Sequence, residues 1–168
     1  MPYAERTVRA MYRTAPAALA LLLAACGGDE ITPEQRTRRL EARRTACITE
    51  ALQHRAQSQL AQLDTMMRQQ AGGEIPAIVR APHTFAQVYA AYADVKAHEA
   101  AYLDSAFHAG SKQDSLAYIQ SAGKFRVSPP SEGSVEENVA RLYVNDFNVS
   151  RQYADHPCNK LVEDQEKR

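Results

Sequence analysis

Apolar residues recur every three or four positions along much of this chain, which is the spacing typical of amphipathic α-helices. The longest such stretch covers residues 33–71, and no proline or glycine interrupts it after Pro33 until Gly72. A helix of this length would extend roughly 58 Å. Its apolar positions are Leu40, Cys47, Ile48, Leu52, Ala56, Leu60, Leu63 and Met67.

Four pairs of polar residues mark the predicted helix starts, because a side chain that can cap a helix is followed three residues later by one that can complete the cap. A second helix is predicted from Thr84 to about Ala109, a third from Ser111 to Ala122, and a fourth from Ser134 to about Ala154. The pairs are Thr32 with Gln35, Thr84 with Gln87, Ser111 with Asp114, and Ser134 with Glu137.

The segments between these helices are rich in proline and glycine. Residues 74–82 contain Pro76 and Pro82 and are predicted to be a connecting segment, and Pro157 is predicted to begin a short charged tail. The pattern therefore predicts an all-α domain that resembles a four-helix bundle with a long first helix.

A separate apolar run, from Ala15 to Ala25, follows a basic segment that contains Arg6, Arg9 and Arg13. The run is too short for a membrane span, which needs about 20 apolar residues as a helix. A basic segment, a short apolar run and small residues before a cleavage point are typical of a secretory signal peptide. We therefore expect residues 1–25 to be removed, with translation starting at either Met1 or Met11.

The residues around that cleavage point, Leu23-Ala24-Ala25-Cys26, resemble the lipobox of bacterial lipoproteins. The resemblance implies that Cys26 is lipidated on sulfur and becomes the first residue of the mature chain. Residues 26–31 would then be a lipidated tether and residues 32–168 the helical domain. Gly27 follows Cys26 where an aspartate would favour inner-membrane retention, so the enterobacterial sorting rule implies the outer membrane, with the orientation of the domain left open.

Two further cysteines, Cys47 and Cys158, would enter an oxidising compartment with the exported chain. A disulfide between them is the expected outcome, and a reactive Cys158 beside His156 or two unpaired thiols are the alternatives. The formal net charge is zero, and no basic stripe indicates nucleic-acid binding.

Glu99 is the most unusual residue of the second predicted helix, because it falls within an apolar stripe that includes Tyr92 and Tyr102. A carboxylate that loses its hydration there needs a partner. It could pair with Lys96 or an arginine, accept a hydrogen bond from a tyrosine, or line a ligand groove together with Tyr92 and Tyr102.

An arginine cluster begins ten residues after the proposed lipid anchor. Arginines held close to a bilayer can contact an anionic surface, and the alternative is a solvated helix face. The cluster consists of Arg36, Arg38, Arg39, Arg43 and Arg44.

No catalytic or metal-binding motif is complete. The run from His98 to Tyr102 has tyrosine where a zincin helix carries its second histidine. Asp104 and His108 supply two ligands at most and are expected to form an exposed pair. We therefore predict no cofactor, metal or catalytic residue, and an enzyme using His98, Glu99 or His108 remains an alternative.

Aromatic residues concentrate on the second and fourth predicted helices, and half-buried tyrosines often form protein interfaces. The sequence therefore favours a non-enzymatic, lipid-anchored envelope protein that docks another envelope protein or polymer. The alternative is a periplasmic carrier of a small apolar or lipid-like ligand near Glu99.

Overall fold

The computed structural model describes residues 31–69 and 77–166, and within these ranges it contains helices and no strands. The all-α prediction is confirmed. The helices are α1 (Pro33–Gln69), α2 (Ala77–His108), α3 (Lys112–Gly123), α4 (Val135–Gln152) and α5 (Pro157–Glu166). The predicted signal peptide, Cys26, Gly27 and the Gly72-Gly73 pair lie outside the described residues.

Helices α1 and α2 form a long antiparallel pair. Side-chain contacts between them follow opposite orders along the two helices, since residues late in α1 contact residues early in α2. The contacts are His83 Nε2 with Asp64 Oδ1 at 2.6 Å, Gln53 Nε2 with Asp94 Oδ1 at 2.5 Å, and Arg43 Nε with Asp104 Oδ2 at 3.1 Å. The prediction of a long first helix is confirmed, and α1 extends about 55 Å.

Helix α4 packs on this pair and closes the core. Val139 and Tyr143 of α4 are buried, together with Ile48 and Leu52 of α1 and the small Ala93 of α2. Fully burying a side chain such as Ile48 or Val139 contributes about 1.5–3 kcal/mol. The core therefore lies where α4 meets the middle of the α1–α2 pair.

Three of the four predicted helix caps are present. Gln35 N donates to Thr32 Oγ1 while Thr32 N donates to Gln35 Oε1, which satisfies a donor on each residue. The Ser111 and Ser134 hydroxyls accept from Asp114 N and Glu137 N at the starts of α3 and α4. These local sequence signals therefore predicted the starts of α1, α3 and α4 correctly.

The predicted start of the second helix at Thr84 is wrong. Helix α2 begins at Ala77, and the Thr84 hydroxyl donates to the Arg80 carbonyl one turn earlier. Pro82 lies in the second turn of the helix, where it removes one backbone hydrogen bond. The segment predicted to connect the first two helices is therefore helical from residue 77 onward.

The predicted charged tail is also wrong, because it contains helix α5. Pro157 is its first residue, a position where the missing backbone N–H costs nothing, and His156 Nδ1 accepts from Cys158 N. Cys158 and Val162, four residues apart, are both buried. This short apolar stripe packs α5 on α1 while its charged residues face outward.

The expected disulfide joins Cys47 of α1 to Cys158 of α5, with Cα atoms 5.6 Å apart. Beside it, the buried Asn159 uses its side-chain amide to donate to the Tyr153 carbonyl at 2.7 Å and to the Ser150 and Arg151 carbonyls at 3.2 and 3.1 Å. These carbonyls lie at the end of α4, where helix carbonyls lack partners of their own. Helix α5 therefore links the end of α4 to the middle of α1.

Candidate functional site: two grooves beside helix α4

Helix α4 lies over the α1–α2 pair and leaves a groove on each of its flanks. Leu142 and Asp146 line one groove, whereas Val144 and Phe147 line the other. Each groove contains one buried tyrosine, and the two rings are 6.1 Å apart. We name the grooves after these residues, the Tyr89 groove and the Tyr143 groove.

The Tyr89 groove has a volume of about 540 Å³ and a mainly apolar lining. Met66 of α1 is 46% exposed and Leu142 of α4 is 40% exposed, so apolar surface faces solvent on both sides of the groove. The groove is lined by Arg55, Leu63, Met66, Phe85, Tyr89, Leu142 and Asp146, among others. Its size and lining suit side chains contributed by another molecule.

The polar groups of the Tyr89 groove differ in whether they have a partner. The Tyr89 hydroxyl donates to Asp146 Oδ2 at 2.7 Å. Burial and this hydrogen bond raise the pKa of Tyr89, so the hydroxyl keeps its proton. Arg55 is exposed, and among the residues that the structure describes no carboxylate lies within ion-pair distance of it. The groove therefore contains the positive charge of Arg55 and the carboxylate of Asp146 without an ion pair between them, so the Arg55 guanidinium remains free to pair with a partner.

The Tyr143 groove is smaller, with a volume of about 310 Å³. Its charged groups neutralise each other, because Lys96 Nζ lies 2.8 Å from Glu99 Oε2. Lys96 Nζ also lies 6.0 Å from the centre of the Tyr92 ring. The groove is lined by Tyr92, Lys96, Glu99, Tyr143, Val144 and Phe147, among others.

Tyr143 itself is 5% exposed, and within the described part of the chain its hydroxyl has no hydrogen-bond partner. Burial raises the pKa of this phenol, and the neighbouring Tyr92 and Glu99 raise it further. The hydroxyl is therefore a protonated donor without an acceptor. A buried polar group in this state is uncommon in folded proteins.

Of the alternatives for Glu99, pairing with Lys96 is observed, and Glu99 also lines the Tyr143 groove together with Tyr92. The third residue predicted for this groove, Tyr102, lies elsewhere. Its ring stacks on Phe125, which follows α3, with centroids 5.6 Å apart. His98, one turn earlier, stacks on the same ring at 5.1 Å.

The five clustered arginines do not form a uniform exposed face, because most of them have partners inside the protein. Arg38 pairs with Glu34 at 2.6 Å, Arg44 pairs with Glu41 at 2.7 Å, and Arg36 donates to the Gln165 carbonyl at 3.0 Å. Arg43 pairs with Asp104 across the α1–α2 contact. Most of the cluster therefore already serves contacts within the helical domain.

The expectation that Asp104 and His108 form an exposed pair is wrong for Asp104, whose side chain is 13% exposed. Arg43 of α1 pairs with Asp104 Oδ2 at 3.1 Å, and His108 Nδ1 lies 2.9 Å from the Asp104 backbone carbonyl oxygen. The ion pair between Arg43 and Asp104 therefore joins α1 to α2. No group of three or more potential metal ligands occurs within residues 31–69 and 77–166.

Sequence reasoning missed Arg55, Lys96 as a groove residue, and the contrast between Tyr89 and Tyr143. The aromatic pattern did indicate that both tyrosines lie in helices. Which of them has an acceptor depends on where α4 crosses α2, because Asp146 approaches Tyr89 and not Tyr143.

A scan against protein-family models, a search of curated proteins and a search of solved structures each found no match to this chain. Of the helices that the structure describes, none combines the length and apolar character needed to cross a membrane.

Proposed function

We propose that this protein is a non-enzymatic, lipid-anchored envelope protein that docks another envelope protein in its Tyr89 groove. The partner presents apolar side chains beside a carboxylate. The observation that carries the proposal is the combination of exposed apolar residues, Met66 and Leu142, with the unpaired charge of Arg55 in one groove. Export and attachment at Cys26 are supported by the apolar run and lipobox before the helical domain.

Apolar burial supplies the attraction in this proposal. Met66 and Leu142 still expose almost half of their surface, so covering each would contribute about 1 kcal/mol. Methionine adapts to irregular partner surfaces because its side chain is unbranched and flexible. Arg55 adds orientation, since an exposed positive charge favours one placement of the partner's carboxylate.

The position of the groove also supports a protein partner. Arg55 and Met66 lie about 33 and 50 Å along α1 from Pro33, on the rise of a helix. The anchor at Cys26 would precede Pro33 by a tether that spans at most about 25 Å. The docking groove therefore lies toward the end of α1 far from the anchor, where it can reach beyond the lipid headgroups.

Attachment is tested by replacing the proposed lipidated residue. Cells that produce Cys26→Ser should show no incorporation of a labelled fatty acid into the protein. Fatty-acid labelling equal to that of the unchanged protein would contradict attachment at Cys26.

Docking is tested in cells by placing a photo-activated cross-linking residue at Met66 of the lipidated protein. A partner should be captured reproducibly, and Leu142→Glu should abolish its capture. The matched control is Leu161→Glu, because Leu161 on α5 is 42% exposed, close to the 40% of Leu142. Capture that is insensitive to Leu142→Glu, or equally sensitive to Leu161→Glu, would contradict docking in the Tyr89 groove.

Exchanging charges tests whether Arg55 contacts a carboxylate of the partner. Arg55→Glu should weaken capture of the partner, and replacing the partner's contacting acidic residue by lysine should restore capture. If neither change alters capture of the partner, the partner does not dock as proposed.

A further inference from the structure

We infer that the Tyr143 groove binds a small uncharged amphiphile, which offers one hydrogen-bond acceptor to the Tyr143 hydroxyl and an apolar body to the groove wall. This site lies on the opposite flank of α4 from the docking groove. It does not depend on the proposed docking, so either function can fail without the other.

The hydroxyl of Tyr143 defines the first requirement for the ligand. It is buried and unpartnered within the described residues, whereas the neighbouring Tyr89 hydroxyl has Asp146 as its acceptor. Its raised pKa keeps it protonated, so it remains available as a hydrogen-bond donor. A carbonyl, ester or ether oxygen supplies the acceptor that the protein lacks at this point.

The ion pair between Lys96 and Glu99 defines the second requirement. Because the two charges lie 2.8 Å apart and compensate each other, the groove has no net charge to offer a ligand. A carboxylate or an ammonium group that enters the groove would face both charges at once, so it would lose its hydration without a net electrostatic gain. An uncharged ligand avoids this cost.

The apolar wall and the size of the groove define the third requirement. Val144 is 53% exposed and Phe147 is partly buried, so an apolar body would cover surface that now faces solvent. A volume of about 310 Å³ lies near the lower end of ligand pockets, which is roughly 300 Å³. Tyr143 and Lys96 both line this groove, and Lys96 is 29% exposed.

The test uses three probes that share one chain length and differ in charge: methyl octanoate, octanoate and octylammonium. The protein is the mature chain from residue 26 onward carrying Cys26→Ser, so that neither an attached lipid nor the apolar run of residues 15–25 competes, with the Cys47–Cys158 bond formed. Methyl octanoate should bind saturably and shift the methyl resonances of Val144 but not those of Leu142, which lies on the other flank of α4. The two charged probes should bind at least about tenfold more weakly.

Matched tyrosine variants separate the hydrogen bond from packing. Tyr143→Phe should weaken methyl octanoate binding about tenfold, because it removes the donor and keeps the ring. Tyr89→Phe removes the neighbouring hydroxyl and should leave the affinity unchanged. A second variant, Val144→Asp, places a charge at an exposed wall position and should abolish binding while the protein stays folded.

Several results would overturn the inference. They are no saturable binding of methyl octanoate, equal affinity in Tyr143→Phe, tighter binding of a charged probe, or shifts centred on Leu142. Binding to phosphatidylcholine vesicles that requires Tyr143, without binding of the free ester, would assign the acceptor to a bilayer lipid and would also overturn it.

Discussion

The two flanks of helix α4 contain the same kinds of polar residues, but these residues are paired differently on each flank. On one flank the Tyr89 hydroxyl is paired with Asp146, and the charge of Arg55 has no ion-pair partner among the described residues. On the other flank the charges of Lys96 and Glu99 are paired, and the Tyr143 hydroxyl has no acceptor there. The unsatisfied group therefore differs, a cation in the Tyr89 groove and a neutral donor in the Tyr143 groove.

This difference indicates which kind of partner each groove suits. An exposed cation beside apolar residues favours a large partner with a carboxylate, since exposed charges orient partners at little cost in hydration. A buried neutral donor favours a small molecule that can enter and accept one hydrogen bond. Each groove contains one basic and one acidic residue, so the charges of the two grooves differ in how they are paired and not in their number.

The largest effect on stability is expected for the disulfide, which joins α5 to α1, a helix that lines both grooves. Replacing Cys47 and Cys158 together by alanine should lower the free energy of unfolding by about 4–5 kcal/mol, because the bond closes a loop across a sequence separation of 111 residues. Chemical denaturation of the oxidised protein and the double variant measures the difference. The reduced, unchanged protein is the control and should match the double variant, whereas a loss below about 1 kcal/mol would contradict a structural role.

A smaller effect is expected at the paired tyrosine. Tyr89→Phe should lower the free energy of unfolding by about 1–2 kcal/mol, because it leaves the partly buried Asp146 without its donor. Thermal and chemical denaturation at neutral pH measure this change. Asp146→Asn is informative beside it, since an amide oxygen can still accept the tyrosine hydrogen bond and should retain part of the stability.

The smallest effect, and one of opposite sign, is expected at the unpaired tyrosine. Tyr143→Phe should raise the free energy of unfolding by about 0.5–1 kcal/mol, because it removes a buried hydroxyl that has no partner in the described structure. The same denaturation measurements compare it with Tyr89→Phe. If both variants lose the same stability, the distinction between the two grooves does not hold.

The elements that the sequence predicted best are those with local signals. The reciprocal bonds of Thr32 and Gln35 lie within one turn, so the start of α1 could be predicted from adjacent residues. The start of α2 could not, because proline is usually a helix breaker and Pro82 lies inside the helix. Helix α5 was missed because its stability comes from the disulfide and from burial against α1, which are contacts between distant residues.

The same distinction between local signals and contacts of distant residues applies to the candidate site. Pairing of Glu99 with Lys96 was one of the predicted alternatives, because residues three apart are neighbours on a helix. The placement of Tyr102 was not predictable from α2 alone, since Phe125 beyond α3 covers it. The meeting of Tyr143 with Glu99 depends on where α4 crosses α2, and this is a property of the packed fold.

The bond between Cys47 and Cys158 would also bear on the order of events during the proposed export. If the chain crosses the membrane from its N-terminus, Cys47 reaches the oxidising side 111 residues before its partner. The sequence contains three cysteines, so the single competing thiol within the chain is Cys26. Lipidation of Cys26 on sulfur would protect this thiol from disulfide formation, so Cys47 could pair only with Cys158 within the chain.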